Sequence, residues 1–303
     1  MAKILITGGS GLVGKRLSRL LKIRGDEVIH LSRNVKPEAE FPTYVWDIQQ
    51  QQLDTTAFDG VDHIIHLAGA GIADKRWTAA RKKEIVESRV LGTRLLVDAL
   101  EWLPKKPKTF IAASAIGYYG DTEALCTEDS AAGHDFLATT CMAWENESLR
   151  AQTFMRSCIL RIGIVLSAED GALPKLMLPF KMYAGAVLGS GKQFMSWIHI
   201  DDLCAAFIHL IDNPDSQGIY NGVAPIPETH YTFSKALANA MKRPLWLWIP
   251  GIFLSLALGE MALTVLTGQQ VSNEKLHQSG FRCKFGNIHS ALADLLPRKV
   301  SRP

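Results

Sequence analysis

The sequence predicts an α/β protein in which a doubly wound parallel sheet is followed by a smaller, mainly helical C-terminal lobe. Apolar strands alternate with amphipathic helices over residues 4–165, the pattern of a parallel sheet covered on both faces. This alternation changes after Gly171, and helices dominate beyond Pro225. The chain has 303 residues, of which 47% are hydrophobic, so it can bury a sizeable core.

The change of pattern also sets the predicted domain boundaries. We expect a nucleotide-binding domain over residues 1–166, to which residues 192–222 return. The smaller C-terminal lobe then comprises residues 167–191 and 223–303.

The first strand–turn–helix unit carries three spaced glycines. An apolar strand opens the chain, and Gly8, Gly11 and Gly14 separate it from a helix that begins at Leu12 and Val13. Gly8 permits a tight turn, Gly11 lets a pyrophosphate approach the backbone, and Gly14 allows close packing of helix and strand. The helix N-terminus offers unpaired N–H groups to the phosphates. The unit therefore predicts a dinucleotide site, with a plain glycine turn as the alternative.

The second predicted strand, residues 27–31, delivers Ser32 and Arg33 to its carboxyl end. In dinucleotide folds this position meets the adenosine ribose, where an acidic residue binds the 2′-hydroxyl and an arginine accepts a 2′-phosphate. The arginine favours NADP over NAD. An ordinary exposed arginine in a loop is the alternative.

The remaining elements are predicted from the spacing of apolar residues and from turn residues between them. In chain order they are strands at 44–47 and 61–69, a helix at 78–100, a strand at 109–113, a helix at 137–151, a sixth strand at 158–165 and a helix ending at 210. Ser114 follows the strand at 109–113, and parallel sheets bind ligands at the carboxyl ends of their strands. Ser114 is therefore a candidate site residue.

Histidines and aspartates near these elements are predicted to be structural. His63 and His66 lie in an apolar strand, and no His or Cys partner lies at metal-ligand spacing, so we assign no metal. Asp201 and Asp202 suit the start of a helix, where carboxylates accept hydrogen bonds from backbone N–H groups. With His199, they are expected to organise a loop and to perform no chemistry.

Composition bounds the class of partner and compartment. A net charge of +3 without a basic block gives no indication of nucleic-acid binding. Five cysteines without C-x-x-C spacing suit a reducing cytoplasm, and no signal-peptide pattern precedes the first strand. Residues 245–268 are apolar, but Pro250 and Glu260 are among the residues that interrupt them before the ~20 residues of a membrane span. We expect buried or interface helices there.

Several short blocks of sequence occur together in one order. They are TGGSGLVG at 7–14, LAG at 67–69, SAIGY at 114–118, LRIG at 160–163 and WIHIDD at 197–202. In this combination the chain resembles the extended short-chain dehydrogenase/reductases. Two further blocks, ADKRW at 73–77 and GEM at 259–261, resemble the YfcH-type epimerase branch with its appended C-terminal segment.

The resemblance implies a Rossmann-type domain with NADP lying across the strand ends. The small-molecule substrate would by default be a nucleotide sugar held by the later segments, and a homodimer is left open. By position, Leu67 and Ala68 would line the cofactor. Glu84 and Arg89 lie on the following helix, Arg89 where typical members carry an asparagine. Val165 would approach the nicotinamide.

One departure from the family pattern concerns the catalytic pair. Typical members carry Tyr-x-x-x-Lys after the serine, whereas the corresponding register here has Cys141 and Glu145. We predict Glu145 as a ribose ligand whose charge Arg89 compensates, since residues four apart share a helix face. Cys141 is either a thiol acid/base or a core residue.

Two functions follow. In the first, the protein is an NADP-dependent oxidoreductase or epimerase in which Ser114 polarises a substrate oxygen. Tyr118 is then the nearest phenol that could move the proton, with a packing aromatic as the alternative. In the second, the fold holds NADP as a structural or redox-sensing ligand without turnover.

Overall fold

The computed structural model describes residues 1–35 and 38–296. Its strands are β1 (Lys3–Thr7), β2 (Glu27–Ser32), β3 (Thr43–Asp47), β4 (Gln52–Leu53), β5 (His63–His66), β6 (Thr109–Ala115), β7 (Thr122–Cys126), β8 (Arg156–Ile162), β9 (Ile164–Leu166), β10 (Gly185–Leu188), β11 (Phe194–Met195), β12 (Trp197–His199), β13 (Gly218–Gly222), β14 (Glu228–Thr229), β15 (Leu245–Ile249) and β16 (Gln269–Val271). Its α-helices are α1 (Leu12–Arg24), α2 (Ala79–Glu101), α3 (Phe136–Leu149), α4 (Ala172–Lys181), α5 (Ile200–Asp212), α6 (His230–Met241), α7 (Gly251–Leu258), α8 (Leu263–Leu266), α9 (Glu274–Gln278) and α10 (Ile288–Leu295). Turns of 3₁₀ helix occupy Thr55–Phe58, Ile116–Tyr119, Arg150–Thr153 and Gly259–Ala262.

The largest sheet has eight strands in the order β13-β8-β6-β5-β1-β2-β3-β4. The pairs β1–β2, β1–β5, β5–β6 and β2–β3 are all parallel, and the short β4 pairs antiparallel with β3. The order reverses direction at β1, which creates a switch point where such sheets bind ligands. The predicted α/β fold with a parallel sheet is confirmed.

The core beneath this sheet follows from uninterrupted apolar strands. Leu5, Ile64 and Phe110 on neighbouring strands are fully buried and pack with Leu96 and Leu100 of α2. Strands that bury both faces need such runs, because helices cover the sheet on each side. The sheet therefore holds the carboxyl ends of β1, β5 and β6 in fixed register.

The chain divides into two compact units. The first comprises residues 1–118, 134–161 and 204–220, and the second comprises 119–133, 162–203 and 221–303, of which 297–303 lie outside the described residues. The segment that returns to the first unit is therefore 204–220, which is shorter than the predicted 192–222. Residues 119–133, which were predicted to belong to the first domain, fall in the second unit.

The predicted sixth strand is in fact two strands. It breaks at Gly163, where an added Cβ would lie 2.5 Å from the Ser196 carbonyl oxygen, so only glycine allows this approach. Beyond the break, β9 pairs in parallel with β12 and places Val165 opposite Ile198. Val165 therefore does not end a strand of the eight-stranded sheet, which corrects the prediction on which its nicotinamide role rested.

The apolar residues 245–268 also differ from the prediction of helices alone. Residues 245–249 form β15, which pairs in parallel with β10. The helix α7 follows and has no buried residue. No helix within residues 1–35 and 38–296 is both long and apolar enough to cross a membrane.

Candidate functional site

The glycine turn has the geometry that the sequence predicts. Gly8 has φ +71°, and a Cβ there would lie 3.0 Å from the backbone of Leu67 and Ala68. A Cβ on Gly14 would lie 2.7 Å from Gly9 Cα, so this glycine is needed for packing of the helix on the turn. At Gly11 the nearest atom to such a Cβ is the Gly8 carbonyl oxygen, at 3.3 Å, and the space beyond is open.

The N-terminus of α1 suits a phosphate. Gly11 is the N-cap, no side chain caps the helix, and no acidic residue lies in its first turn. The Lys15 N–H donates to the Gly11 carbonyl oxygen at 2.9 Å, so the N–H groups of Leu12 and Val13 precede the first intrahelical bond. With open space beside Gly11, these features fit a dinucleotide pyrophosphate.

A buried histidine fixes the strand ends beside this turn. Thr7 Oγ1 accepts the N–H groups of Leu67 and Ala68 at 3.2 Å and donates to His66 Nδ1 at 2.7 Å. His66 Nε2–H then donates to Thr93 Oγ1 at 2.8 Å, and that hydroxyl donates to the Arg89 carbonyl. Burial lowers the pKa of His66 to about 3. The prediction that His66 is structural is confirmed.

The predicted 2′-phosphate residues lie at the rim of the same unit. Ser32 is half-buried, and Arg33 is exposed and forms no ion pair with any described residue. Arg81 Nη1 donates to Glu84 Oε2 at 2.7 Å. This hydrogen bond is the main cause of the lowered pKa of Glu84, and the positive charge of Arg33 adds to the lowering. Arg33 therefore has a charge available for a ligand.

Arg89 is engaged differently from the prediction. Its Nη1 donates to the carbonyls of Ala70 at 2.9 Å and Ile85 at 3.1 Å, and its guanidinium lies over the Trp144 ring at 5.2 Å. Burial lowers its pKa. The predicted pair between Arg89 and Glu145 is wrong, because the Arg89 fork is turned to backbone carbonyls beside the end of β5.

The partner of Glu145 is Arg161, near the end of β8. Arg161 Nε donates to Glu145 Oε1 and its Nη2 donates to Oε2, both at 2.8 Å. Ser114 Oγ donates to the same Oε1 at 2.6 Å. All three side chains are at least 96% buried. This cluster, which we call the carboxylate cluster (Ser114, Glu145, Arg161), joins β6, α3 and β8.

The carboxylate cluster changes the predicted roles of two residues. Both carboxylate oxygens of Glu145 already accept hydrogen bonds from Arg161 and Ser114. A ribose hydroxyl would therefore have to donate to a carboxylate that already has its partners, which does not fit the predicted role as a ribose ligand. Ser114 directs its proton to Glu145, so its oxygen can accept a hydrogen bond but its proton is already donated. The prediction that Ser114 polarises a substrate oxygen by donation does not fit this geometry.

Tyr118 and Cys141 both lie next to this cluster. The Arg161 guanidinium carbon is 3.4 Å from the centroid of the Tyr118 ring, a close cation–π contact, and Tyr118 is half-buried. Cys141 is 5% exposed, and burial together with the neighbouring Glu145 raises its pKa to about 11. At neutral pH Cys141 is therefore a thiol.

The acidic pair of the second unit has a structural role. Asp201 and Asp202 lie in the first turn of α5, as predicted. However, Asp202 accepts the N–H groups of Lys284 at 2.8 Å and Phe285 at 2.9 Å, not those of its own helix. His199 stacks on Phe285 with ring centroids 3.9 Å apart. Asp202 and His199 therefore anchor the segment before α10, whereas the Asp201 N–H donates to His199 Nδ1.

Comparison with known proteins gives the chain a family context. The model of the NAD dependent epimerase/dehydratase family matches residues 4–222, and a domain of unknown function, DUF1731, matches residues 249–295. The epimerase family protein YfhF of Bacillus subtilis is 38% identical over 97% of both chains. A chloroplastic SDR39U1 homolog of Arabidopsis thaliana is 34% identical over 97% of this chain and 86% of its own.

Solved structures agree. The human epimerase family protein SDR39U1, crystallised with NADPH, has a TM-score of 0.88, 30% identity and coverage of 97% of this chain and 98% of its own. A nucleoside-diphosphate sugar epimerase from Corynebacterium glutamicum has a TM-score of 0.79 and 32% identity, covering 97% of this chain and 58% of its own. The same fold thus recurs in a chain of similar length and within a longer one.

Proposed function

Because the chain belongs to the NAD dependent epimerase/dehydratase family, within the extended short-chain dehydrogenase/reductases, we propose that it is an NADP(H)-dependent oxidoreductase or epimerase. Its substrate is a small carbonyl or hydroxyl compound. The observation that carries the proposal is the contact between Arg161 and Tyr118, which puts a fixed cation against a half-buried phenol. This contact takes the place of the usual Tyr-x-x-x-Lys pair.

Nicotinamide dinucleotide, when bound, supplies the hydride donor or acceptor that the protein itself lacks. The glycine turn and the N-terminus of α1 bind its pyrophosphate, and the open space at Gly11 supports this role. Ser32 and Arg33 bind the 2′-phosphate, for which the exposed charge of Arg33 is the support. The NADPH in the human relative agrees with this choice of nucleotide.

Tyr118 moves the proton at the substrate oxygen. The Arg161 guanidinium packs on the face of the Tyr118 ring and fixes its orientation, so that the phenol is positioned for general acid–base chemistry. Cys141 is a poorer choice, because its buried thiol has a pKa of about 11 and little access to water. Cys141 is then a core residue, and Ser114 accepts a hydrogen bond from a substrate hydroxyl.

The substrate class is proposed to be a nucleotide sugar. Support comes from the Corynebacterium relative, whose name specifies a nucleoside-diphosphate sugar epimerase. The five cysteines show no C-x-x-C spacing, which supports a reducing compartment such as the cytoplasm.

A second function is an NADP-binding or redox-sensing protein without turnover. It is favoured by the replacement of the usual catalytic pair by Cys141 and Glu145, the latter locked by Arg161.

Steady-state oxidation of NADPH separates these functions. Purified protein is incubated with NADPH and a panel of carbonyl compounds, and in parallel with NADP⁺ and a panel of nucleotide sugars, and cofactor turnover and sugar epimers are both measured. The proposal expects turnover with at least one nucleotide sugar. Stoichiometric retention of NADPH without turnover on the whole panel would contradict the enzyme and support the binding protein.

A further inference from the structure

An exposed apolar surface lies on β15 and α7 of the second unit. Trp246, Trp248, Ile252, Phe253 and Leu256 are 68%, 54%, 67%, 61% and 73% exposed. We call these five residues the apolar strip. No charged residue occurs between positions 245 and 259, and α7 buries none of its residues. A helix that is apolar on all sides normally has partners on all sides.

The two indoles of the strip are held in place. Trp246 Nε1 donates to the Tyr183 carbonyl and Trp248 Nε1 donates to the Gly189 carbonyl, each at 2.8 Å. Tyr231 stacks beside Trp248 at 6.3 Å between ring centroids. The rings have therefore already lost their rotamer freedom while their faces remain exposed. Preorganised aromatic anchors of this kind dominate the energy of protein interfaces.

The strip also leaves a sheet edge uncovered. β15 pairs with β10, and no strand within the described part of the chain pairs with its other edge. Proteins usually protect such an edge with charged residues, proline or a covering element. The sequence of β15, LWLWI, contains neither a charge nor a proline. An occupant that supplies backbone hydrogen bonds as well as apolar contacts fits this edge better than lipid does.

The area of the strip matches half of a protein interface. With about 200 Å² for a fully exposed large side chain, the five exposures correspond to about 650 Å². This is close to the ~800 Å² that each partner contributes to an interface of standard size.

The charges at the two ends of the strip have opposite signs. Lys242 and Arg243 precede β15, and Glu260 follows α7. In a two-fold arrangement the basic end of one copy faces the acidic end of the other, so the surface is complementary to itself. An anionic membrane surface would instead favour basic residues at both ends.

From these observations we propose that the apolar strip is the interface at which two copies of this chain form a two-fold dimer. β15 and α7 of each copy cover the same elements of the other. The interface comprises residues 245–258. These residues are β15 and the start of the segment that DUF1731 matches.

Sedimentation equilibrium of the full chain tests this. The wild type is expected to be a dimer at micromolar concentration. Ile252→Arg and Leu256→Arg place a charge on exposed positions of α7, where folding tolerates it, and each is expected to raise the dimer dissociation constant about 100-fold or more. NADPH affinity is expected to stay unchanged, and so is the melting temperature measured at a dilution where the wild type is also monomeric. The matched control is Ile23→Arg on α1, at a position 81% exposed, which keeps the wild-type dimer.

Three results would overturn the proposal. The first is a wild type that stays monomeric at 100 µM, and the second is a dimer that survives both α7 variants. The third is a wild-type monomer that floats with vesicles of phosphatidylcholine and phosphatidylserine and loses this on Ile252→Arg, since the strip would then bind a membrane.

Discussion

Two groups of strand ends in the first unit are held by side-chain networks of opposite character. At β1 and β5, Thr7, His66 and Thr93 form a neutral chain of hydrogen bonds beside the glycine turn. At β6 and β8, Glu145 and Arg161 form a buried ion pair, with Ser114 as a third member. The neutral network holds the backbone at the ends of β1 and β5, beside the proposed cofactor site, and we call this region the neutral end. The carboxylate cluster holds the Arg161 guanidinium against Tyr118, and we call this region the charged end.

This difference explains why mutations at the two ends should have different effects on stability. A neutral network leaves at most one unsatisfied hydrogen-bonding group when a member is removed, at a cost of ~1–3 kcal/mol. A buried ion pair leaves an uncompensated charge in a dry site. Stability at the charged end should therefore depend on keeping or removing Glu145 and Arg161 together.

The largest expected effect is at the ion pair. Arg161→Met leaves the buried Glu145 carboxylate without its cation, so the free energy of unfolding should fall by ~3–5 kcal/mol. Adding Glu145→Met in the same chain should recover most of this loss, because two apolar side chains can replace a buried pair. Urea unfolding of both variants and of the wild type measures the difference.

The matched control for that cycle is Lys83→Met with Glu87→Met, an exposed pair one helical turn apart with an N–O distance of 3.7 Å. It should change stability by under about 1 kcal/mol. A small effect of Arg161→Met alone would contradict the view that the cluster is charged.

A smaller effect is expected at the neutral end on acidification. The folded-state pKa of His66, about 3, lies below its ordinary value of 6.5, so its contribution is complete above pH 6.5 and is lost as the pH falls towards 3. Between about pH 6.5 and 4.5 the loss is about 2.5 kcal/mol. Unfolding measured against pH should show a shallower decline for His66→Gln.

His230 is the comparison in the second unit, because burial lowers its pKa to about 4. His230→Gln should remove a separate part of the same slope. Parallel curves for the wild type and His66→Gln would show that His66 is charged in the folded protein.

The smallest of these effects concerns the exposed rim of the neutral end. Arg33→Asp removes the proposed contact to the 2′-phosphate, which is worth about 1.5–3 kcal/mol, or roughly 10- to 100-fold in the dissociation constant of NADPH. NADH affinity should change little. Calorimetric titration with both nucleotides checks this, and equal losses for both would remove the assignment.

The neutral end was largely predictable from sequence, because its requirements are local. Gly8 needs a positive φ, Gly14 needs room, and both follow from a strand, a turn and a helix in succession. His66 could be recognised as structural because it stands in an apolar strand. Its hydroxyl partners are distant in sequence and could not be identified.

The charged end was not predictable in the same way. Helical spacing correctly put Cys141 and Glu145 on one buried face, but it gave no information on which cation would face them. Arg161 stands in the quoted LRIG block, and an arginine directly after the apolar run 158–160 was the available signal. Its pairing with Glu145 depends on how β8 packs against α3, which is a tertiary contact.

The second unit departed most from expectation. The same apolar residues form a strand and then a helix, because Pro250 ends β15 and starts α7. Periodicity alone cannot separate these alternatives in a run that is apolar at nearly every position.

The central claim is that Tyr118, held against Arg161, moves the proton. The direct measurement is the rate of NADPH oxidation by Tyr118→Phe, with the NADPH dissociation constant measured on the same preparation and Cys141→Ser as the matched variant. The account predicts that Tyr118→Phe loses about 100-fold or more in rate and binds NADPH as the wild type does, whereas Cys141→Ser keeps its rate. An unchanged rate for Tyr118→Phe together with a lost rate for Cys141→Ser would contradict the account.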